Sequence, residues 1–220
     1  MNDLRPAWLD PLIAAANGVR AEDISRLVQP PDSATRQSAV LIALSDEGSG
    51  PAVLLIERAA DMRTHAGQVA FPGGAVDVED ADLSATALRE AGEEVGVDPA
   101  SVEIVVTLPE LYIPRSGFLV TPVVGWWHSP HAVGVVDPRE VARVAVVPIA
   151  SLTDPANRFT VTHPSGYVGP GFTADGLFVW GFTGGLLDFL LKLGGWERPW
   201  DQSRTRALPQ FQPPAGTVEP

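Results

Sequence analysis

Between Gly73 and Val97 the chain reads GGAVDVEDADLSATALREAGEEVGV, and this stretch limits the possible folds most tightly. Asp82 is placed to cap a helix whose strong formers run to Val95, with Gly96 as its stop. At about 100° per residue, Glu90, Glu93 and Glu94 fall within an arc of about 100°. Leu83, Ala87, Leu88, Ala91 and Val95 occupy the neighbouring arc. Such a helix needs an apolar surface under one face and a partner for the carboxylates on the other. Like charges three and four residues apart destabilise a helix, and a cation with oxygen ligands removes that cost. Taken alone, three Glu within five residues read first as a solvated acidic face. Two features favour a site. Gly92 lies inside the run, where Gly costs about 1 kcal/mol relative to Ala, so helix propensity is not what the segment maximises. The Gly73-Gly74 pair can bring backbone close to a ligand without Cβ interference.

The surface for that helix comes from Val, Leu and Ile runs separated by turn residues. Strands are predicted over 38–44, 52–57, 102–108, 119–127 and 141–149, with shorter ones over 159–163 and 177–180. Residues 68–71 form a short apolar stretch ending at Pro72. Helices are predicted over 6–16, 21–28 and 183–193. The resulting class is α/β, a mixed sheet with helices on its faces. Three regions follow: an N-terminal helical extension (1–35), a main domain (36–195), and a loose tail (196–220) with little to bury from about Ser203 onward.

Composition narrows the chemistry. The absence of Cys removes disulfides, thiolate metal sites and Cys nucleophiles. The formal net charge of −12 opposes nucleic-acid binding, which needs a basic footprint. It permits a phosphate substrate bridged to carboxylates by a divalent cation. No apolar run reaches the ~18 residues of a membrane span, and residues 1–10 hold no apolar signal core. A cytoplasmic protein without membrane attachment is expected.

The carboxylate segment resembles the Nudix box, G-x5-E-x7-R-E-U-x-E-E-x-G-U, where U is bulky and apolar. Arg89-Glu90-Ala91-Gly92-Glu93-Glu94-Val95-Gly96-Val97 follows its second half, with a small Ala91 at the first U. The first half departs: counted from Gly74, Asp80 stands where the box has Glu, and eight residues rather than seven lead on to Arg89. That leaves Asp80's part open. Upstream, Leu54-Leu55-Ile56-Glu57-Arg58 and Met62-Arg63-Thr64-His65-Ala66-Gly67-Gln68-Val69-Ala70-Phe71-Pro72-Gly73-Gly74 are similar to the signature of the coenzyme A pyrophosphatase branch. The likeness spans roughly residues 36–193.

This resemblance implies a Nudix fold, an α/β/α sandwich around a mixed sheet, and hydrolysis of a diphosphate linkage with Mg²⁺ or Mn²⁺. It assigns Glu90, Glu93 and Glu94 as metal ligands, with the Gly74 carbonyl as a further donor. Arg89 orients a neighbouring carboxylate. Glu140, just before a strong strand, is the candidate to position or deprotonate water; Glu93 or Glu94 are the alternatives. Arg58, Arg63, His65 and Gly73 are candidate substrate contacts, although a cationic loop bracing the glycine turn fits Arg58, Arg63 and His65 equally. His128 and His163 read as structural. Trp126-Trp127 read as core and rim more readily than as a stacking platform. The implied substrate is a nucleoside diphosphate of the coenzyme A type, cleaved to 3′,5′-ADP and (acyl-)4′-phosphopantetheine. Other nucleoside diphosphate derivatives and a non-catalytic ligand sensor are the alternatives. A homodimer is compatible with such a fold.

Overall fold

The computed structural model describes residues 5–24, 36–46, 48–60, 65–114, 116–163 and 166–208. Its centre is strand β1 (Arg36–Asp46), which is buried along most of its length. One edge of β1 pairs in parallel with β7 (Phe118–Trp127). The other edge is divided. Its C-terminal end pairs with β2 (Pro51–Arg58), and its N-terminal end pairs with the three-residue β4 (Gly73–Ala75). Beyond these lie β3 (Val69–Ala70) and β8 (Val141–Pro148) on β2, and β5 (Val102–Thr107) and β6 (Leu111–Ile113) on β7. All pairings except β1–β7 are antiparallel, so the sheet is mixed as expected.

Side chains alternate across a strand, and the two cores follow that alternation. Ala39, Leu41, Ala43, Leu54, Ile56, Val123 and Trp127 face helix α3 (Leu83–Val95), which adds Ala87, Ala91 and Val95. Ile42, Leu44, Val53, Leu55, Val124, Trp126 and Val147 face the opposite layer. That layer holds α1 (Asp10–Ala16), α4 (Ile149–Thr153), a second sheet and helix α5 (Gly181–Leu193). The second sheet consists of β9 (Arg158–Thr162), β10 (Val168–Ala174), β11 (Leu177–Val179) and β12 (Thr205–Ala207). Helices thus cover both faces of the main sheet. A further short helix, α2 (Ala21–Ile24), follows α1; the remainder of the helix expected over 21–28 lies outside the described residues.

Two boundaries differ from the sequence expectation. The N-terminal helix is no appendage: Leu9 and Leu12 are fully buried in the main core, and Trp8 meets Trp126 edge-on at 5.4 Å. The C-terminal tail is not loose through Ala207, because β12 pairs in parallel with β9. Arg158 anchors this region. It is fully buried, forms an ion pair with Asp188, lies 3.5 Å from Glu197 and sits over the Trp200 ring at 4.5 Å. Strand β10 was missed because VGPGFTA contains the Gly and Pro that ordinarily demote a strand.

Candidate active site

Helix α3 begins as its sequence dictates. The Asp82 carboxylate accepts from the Ala85 N–H at 2.8 Å. It ends in a left-handed Gly96 (φ 80°), with Val97 N–H reaching back to the Ala91 carbonyl. Gly92 lies beneath this turn, where an added Cβ would stand 3.3 Å from the Val97 carbonyl. A side chain there would press on the turn that ends the helix.

The carboxylate arc is graded in burial. Glu94 is 2% exposed, Glu90 is half-buried and Glu93 is exposed. Glu94 Oε2 accepts from the Gly73 N–H at 2.9 Å, while Oε1 is buried with no hydrogen-bond partner. Burial pushes the Glu94 carboxyl up to about 7, against the pull of the Gly73 N–H and Arg58, and the charges of Glu90 and Glu140 add to the rise. Burial likewise raises Glu90, opposed by Arg89 and reinforced by Glu93 and Glu140. The glycine pair makes this approach possible. A Cβ on Gly74 would meet the Glu90 carboxylate oxygens at 2.5 Å; one on Gly73, whose φ is 156°, would collide with the backbone of Ala39 and Val40.

Arg89 organises the entrance. Its Nε and Nη2 donate to the two oxygens of Asp80, each at 2.9 Å. Nη1 donates to Glu90 at 3.0 Å and Glu93 at 3.1 Å, and Nη2 also donates to the Ala75 carbonyl at 3.1 Å. Asp80 in turn accepts from Thr86 Oγ1 at 2.8 Å and from the Asp77 N–H at 2.9 Å. Its carboxyl is held well below the usual carboxylate range, chiefly by Arg89 and then by the Asp77 N–H; Arg89 is raised in return. The shorter side chain and the extra residue still bring a carboxylate to Arg89 in two-point contact.

Glu140 acts on the helix carboxylates from a distant part of the chain. The loop before β8 lies over the end of α3, where Gly134 and Val136 N–H groups bond the Val95 and Glu94 carbonyls at 3.1 and 3.0 Å. The Glu140 carbonyl accepts from the Ala59 N–H at 2.8 Å. Its exposed side chain contributes to the field at both Glu90 and Glu94.

The family description "NUDIX domain" matches residues 35–167. The chain belongs to the Nudix family. It is 42% identical over 167 residues to an uncharacterized Nudix hydrolase, NudL, of Citrobacter koseri, covering 72% of this chain and 83% of that one. It is 41% identical over 172 residues to the NudL of Cronobacter sakazakii, covering 74% and 85%. Among solved structures, a Nudix hydrolase from M. smegmatis, RenU, is similar in fold, with a TM-score of 0.53 and 19% identity over 76% of this chain and 91% of that one. The Nudix fold and the pyrophosphohydrolase class expected from the sequence both hold.

The Nudix helix has donors that suit a divalent cation. Glu94 carries a buried, unpartnered oxygen, and the backbone at Gly74 lies open against Glu90. Glu93, in contrast, is turned to Arg89, and among the described residues no three His, Asp or Glu side chains already stand together as an ion cage. Of the remaining Nudix candidates, Arg58 acts electrostatically on Glu94. His65 is part of a tight turn, with φ 59° and its Nδ1 2.9 Å from Gln68 Oε1. The Gly73 N–H is engaged by Glu94, so its backbone holds a carboxylate. Arg63 lies outside the described residues. Trp126 and Trp127 are buried on opposite faces of the sheet, which fits core packing rather than stacking on a substrate. His128 is exposed. Thr86 went unnoticed in the sequence; its position six residues after Asp80 carried no motif signal. Among the described residues, no helix is long and apolar enough to cross a membrane.

Proposed function

We propose that the chain hydrolyses the diphosphate of coenzyme A or an acyl-CoA, giving 3′,5′-ADP and (acyl-)4′-phosphopantetheine, with Mg²⁺ or Mn²⁺. The observation that carries the diphosphate chemistry is Glu94: a buried carboxylate with one orphan oxygen, beside Glu90 and a glycine pair. The coenzyme A assignment rests on the upstream signature from Leu54 to Gly74. Glu90 and Glu94 would hold the cation, the Gly74 carbonyl would add a donor, and Glu93 would join on leaving Arg89. When bound, the cation would polarise the diphosphate and acidify an attacking water. Asp80 fixes the Arg89 guanidinium, which orients Glu90. Glu140, whose charge acts on both Glu90 and Glu94, would accept the proton of the water. Arg58, whose charge acts on Glu94, would meet substrate phosphate oxygens. Residues 36–195 form the catalytic unit on this reading, with α1 packed into its core and β12 paired to the edge of β9.

The test is turnover of purified protein with each metal on coenzyme A, acetyl-CoA, ADP-ribose, NADH and dGTP, with products identified by mass. Release of 3′,5′-ADP from the two coenzyme A substrates, with little from the others, is expected. Preferential cleavage of another compound overturns the substrate assignment. Tight binding of one compound with no cleavage of any overturns the enzymatic one.

A further inference from the structure

Thr86 lies in the first turns of α3 and is fully buried. A threonine inside a helix ordinarily returns its hydroxyl to the carbonyl four residues earlier. That carbonyl, of Asp82, lies 3.3 Å from Thr86 Oγ1, whereas Asp80 Oδ2 lies at 2.8 Å. The single hydroxyl hydrogen goes to the nearer and charged acceptor, because a bond to a carboxylate is the stronger of the two. Helix propensity does not call for a threonine here, since a β-branched side chain loses rotamer freedom in a helix. The hydroxyl is explained by what it holds.

Thr86 and Arg89 stand three residues apart, on one face of the helix, and both grip the same carboxylate. Arg89 Nε donates to Oδ1 at 2.9 Å, while Arg89 Nη2 and Thr86 Oγ1 donate to Oδ2 at 2.9 and 2.8 Å. The Asp77 N–H adds a bond to Oδ2 at 2.9 Å. The Asp80 side chain is only 4% exposed, so protein groups rather than bulk water set its orientation. A carboxylate gripped by a guanidinium alone can tilt together with it. A third contact from a fixed point one helical turn away removes that freedom. The guanidinium so fixed directs Nη1 to Glu90 at 3.0 Å and to Glu93 at 3.1 Å.

We propose that Thr86 is a positioning residue: its hydroxyl locks the Asp80 carboxylate in register with α3 and, through Arg89, sets the orientation of the Glu90 carboxylate. The kinetic consequence rests on the proposed hydrolysis, whereas the lock itself belongs to the cation-free protein.

The lock is read first without cation or substrate. Solvent exchange of the Arg89 Nε–H is followed by NMR in EDTA, its signal assigned by loss in Arg89→Lys. Valine at 86 keeps the shape of threonine and removes only the hydroxyl; serine keeps the hydroxyl and removes the methyl group. Exchange is expected to quicken about tenfold in Thr86→Val and to stay within about twofold in Thr86→Ser, the scale of a lost or kept bond to a charged group. With Mg²⁺ and whichever substrate is turned over, Thr86→Val should lower kcat about tenfold while KM stays within about twofold. Thr86→Ser should retain wild-type kcat. In an Asp80→Ala background the valine should change kcat by less than about twofold, because the two side chains act as one unit. Unchanged Nε–H exchange in Thr86→Val overturns the proposal. Equal losses in Thr86→Val and Thr86→Ser overturn it too, as does a valine effect that persists in full without Asp80. Faster exchange in Thr86→Val alone, with no turnover of any substrate by the wild type, retains the lock and refutes the hydrolytic reading instead.

Discussion

Replacing Glu94 with Gln should stabilise the cation-free protein while destroying its turnover. Glu94 is 2% exposed, and its carboxyl is pushed from a usual value of 4.5 up to about 7, chiefly by burial. The folded protein thus binds this proton more tightly than the unfolded chain does. The contribution is fully present below 4.5 and is lost as the pH rises through about 7. The full shift corresponds to about 3 kcal/mol, a large share of the 5–15 kcal/mol that typically holds a domain together. Gln retains an oxygen for the Gly73 N–H and places its NH₂ where the neutral acid would place its O–H, so it mimics the protonated form at every pH. Urea unfolding in EDTA should show Glu94→Gln gaining on the wild type by roughly 2–3 kcal/mol between pH 5 and pH 8. Adding Mg²⁺ should stabilise the wild type and leave the variant nearly unchanged. Turnover of the variant should fall by orders of magnitude. A stability difference that is the same at pH 5 and pH 8 would refute the burial argument. Near-normal turnover would remove Glu94 from the metal site.

Four further expectations follow from the contacts. Asp80→Asn removes the two-point partner of Arg89 and should lower kcat by about 10–100-fold; an unchanged kcat would show that Arg89 needs no such anchor. Gly74→Ala places a methyl group against the movable end of Glu90, so it should fold and lose turnover. Gly73→Ala collides with the β1 backbone and should lower the melting temperature far more; the reverse ranking in a thermal melt contradicts the close-approach account. Glu140→Gln should lower kcat more than it raises KM, and retention of wild-type kcat removes it from proton transfer. Arg158→Met removes a fully buried guanidinium, but Asp188 is partly exposed and keeps Lys192 at 2.7 Å, so the cost should fall below the about 3–5 kcal/mol of a stranded buried charge. Denaturant unfolding should show that loss with kcat preserved in the folded fraction.

Much of this architecture is legible locally. The alternation of β1, β2, β7 and β8 and the cap, apolar stripe and Gly96 stop of α3 are short-range patterns, because side-chain direction repeats with the backbone period. The Arg89-to-Val97 motif could be read for the same reason, being confined to consecutive residues of one helix. Gly92 shows the limit of such reading: in sequence it resembles a functional irregularity, whereas it fits under the turn that ends the helix.

What tertiary structure alone decided depends on partners far away in the chain. Three glutamates equivalent on a helical wheel become one buried, one half-buried and one exposed, because Glu94 is tied to the Gly73 N–H of β4 while Glu90 and Glu93 are held by Arg89. Asp80 reaches Arg89 despite its altered spacing because the 76–82 loop folds back over the helix. The charge of Glu140 reaches Glu90 and Glu94 because β8 pairs with β2 and its preceding loop lies over the end of α3. The first helix and the Thr205–Ala207 strand read in sequence as an extension and a loose tail, yet Leu9, Leu12 and the β9 edge draw them into the fold. Hydrophobic burial and backbone pairing are free energies of contact, and the partners in these contacts are set by the topology of the whole chain.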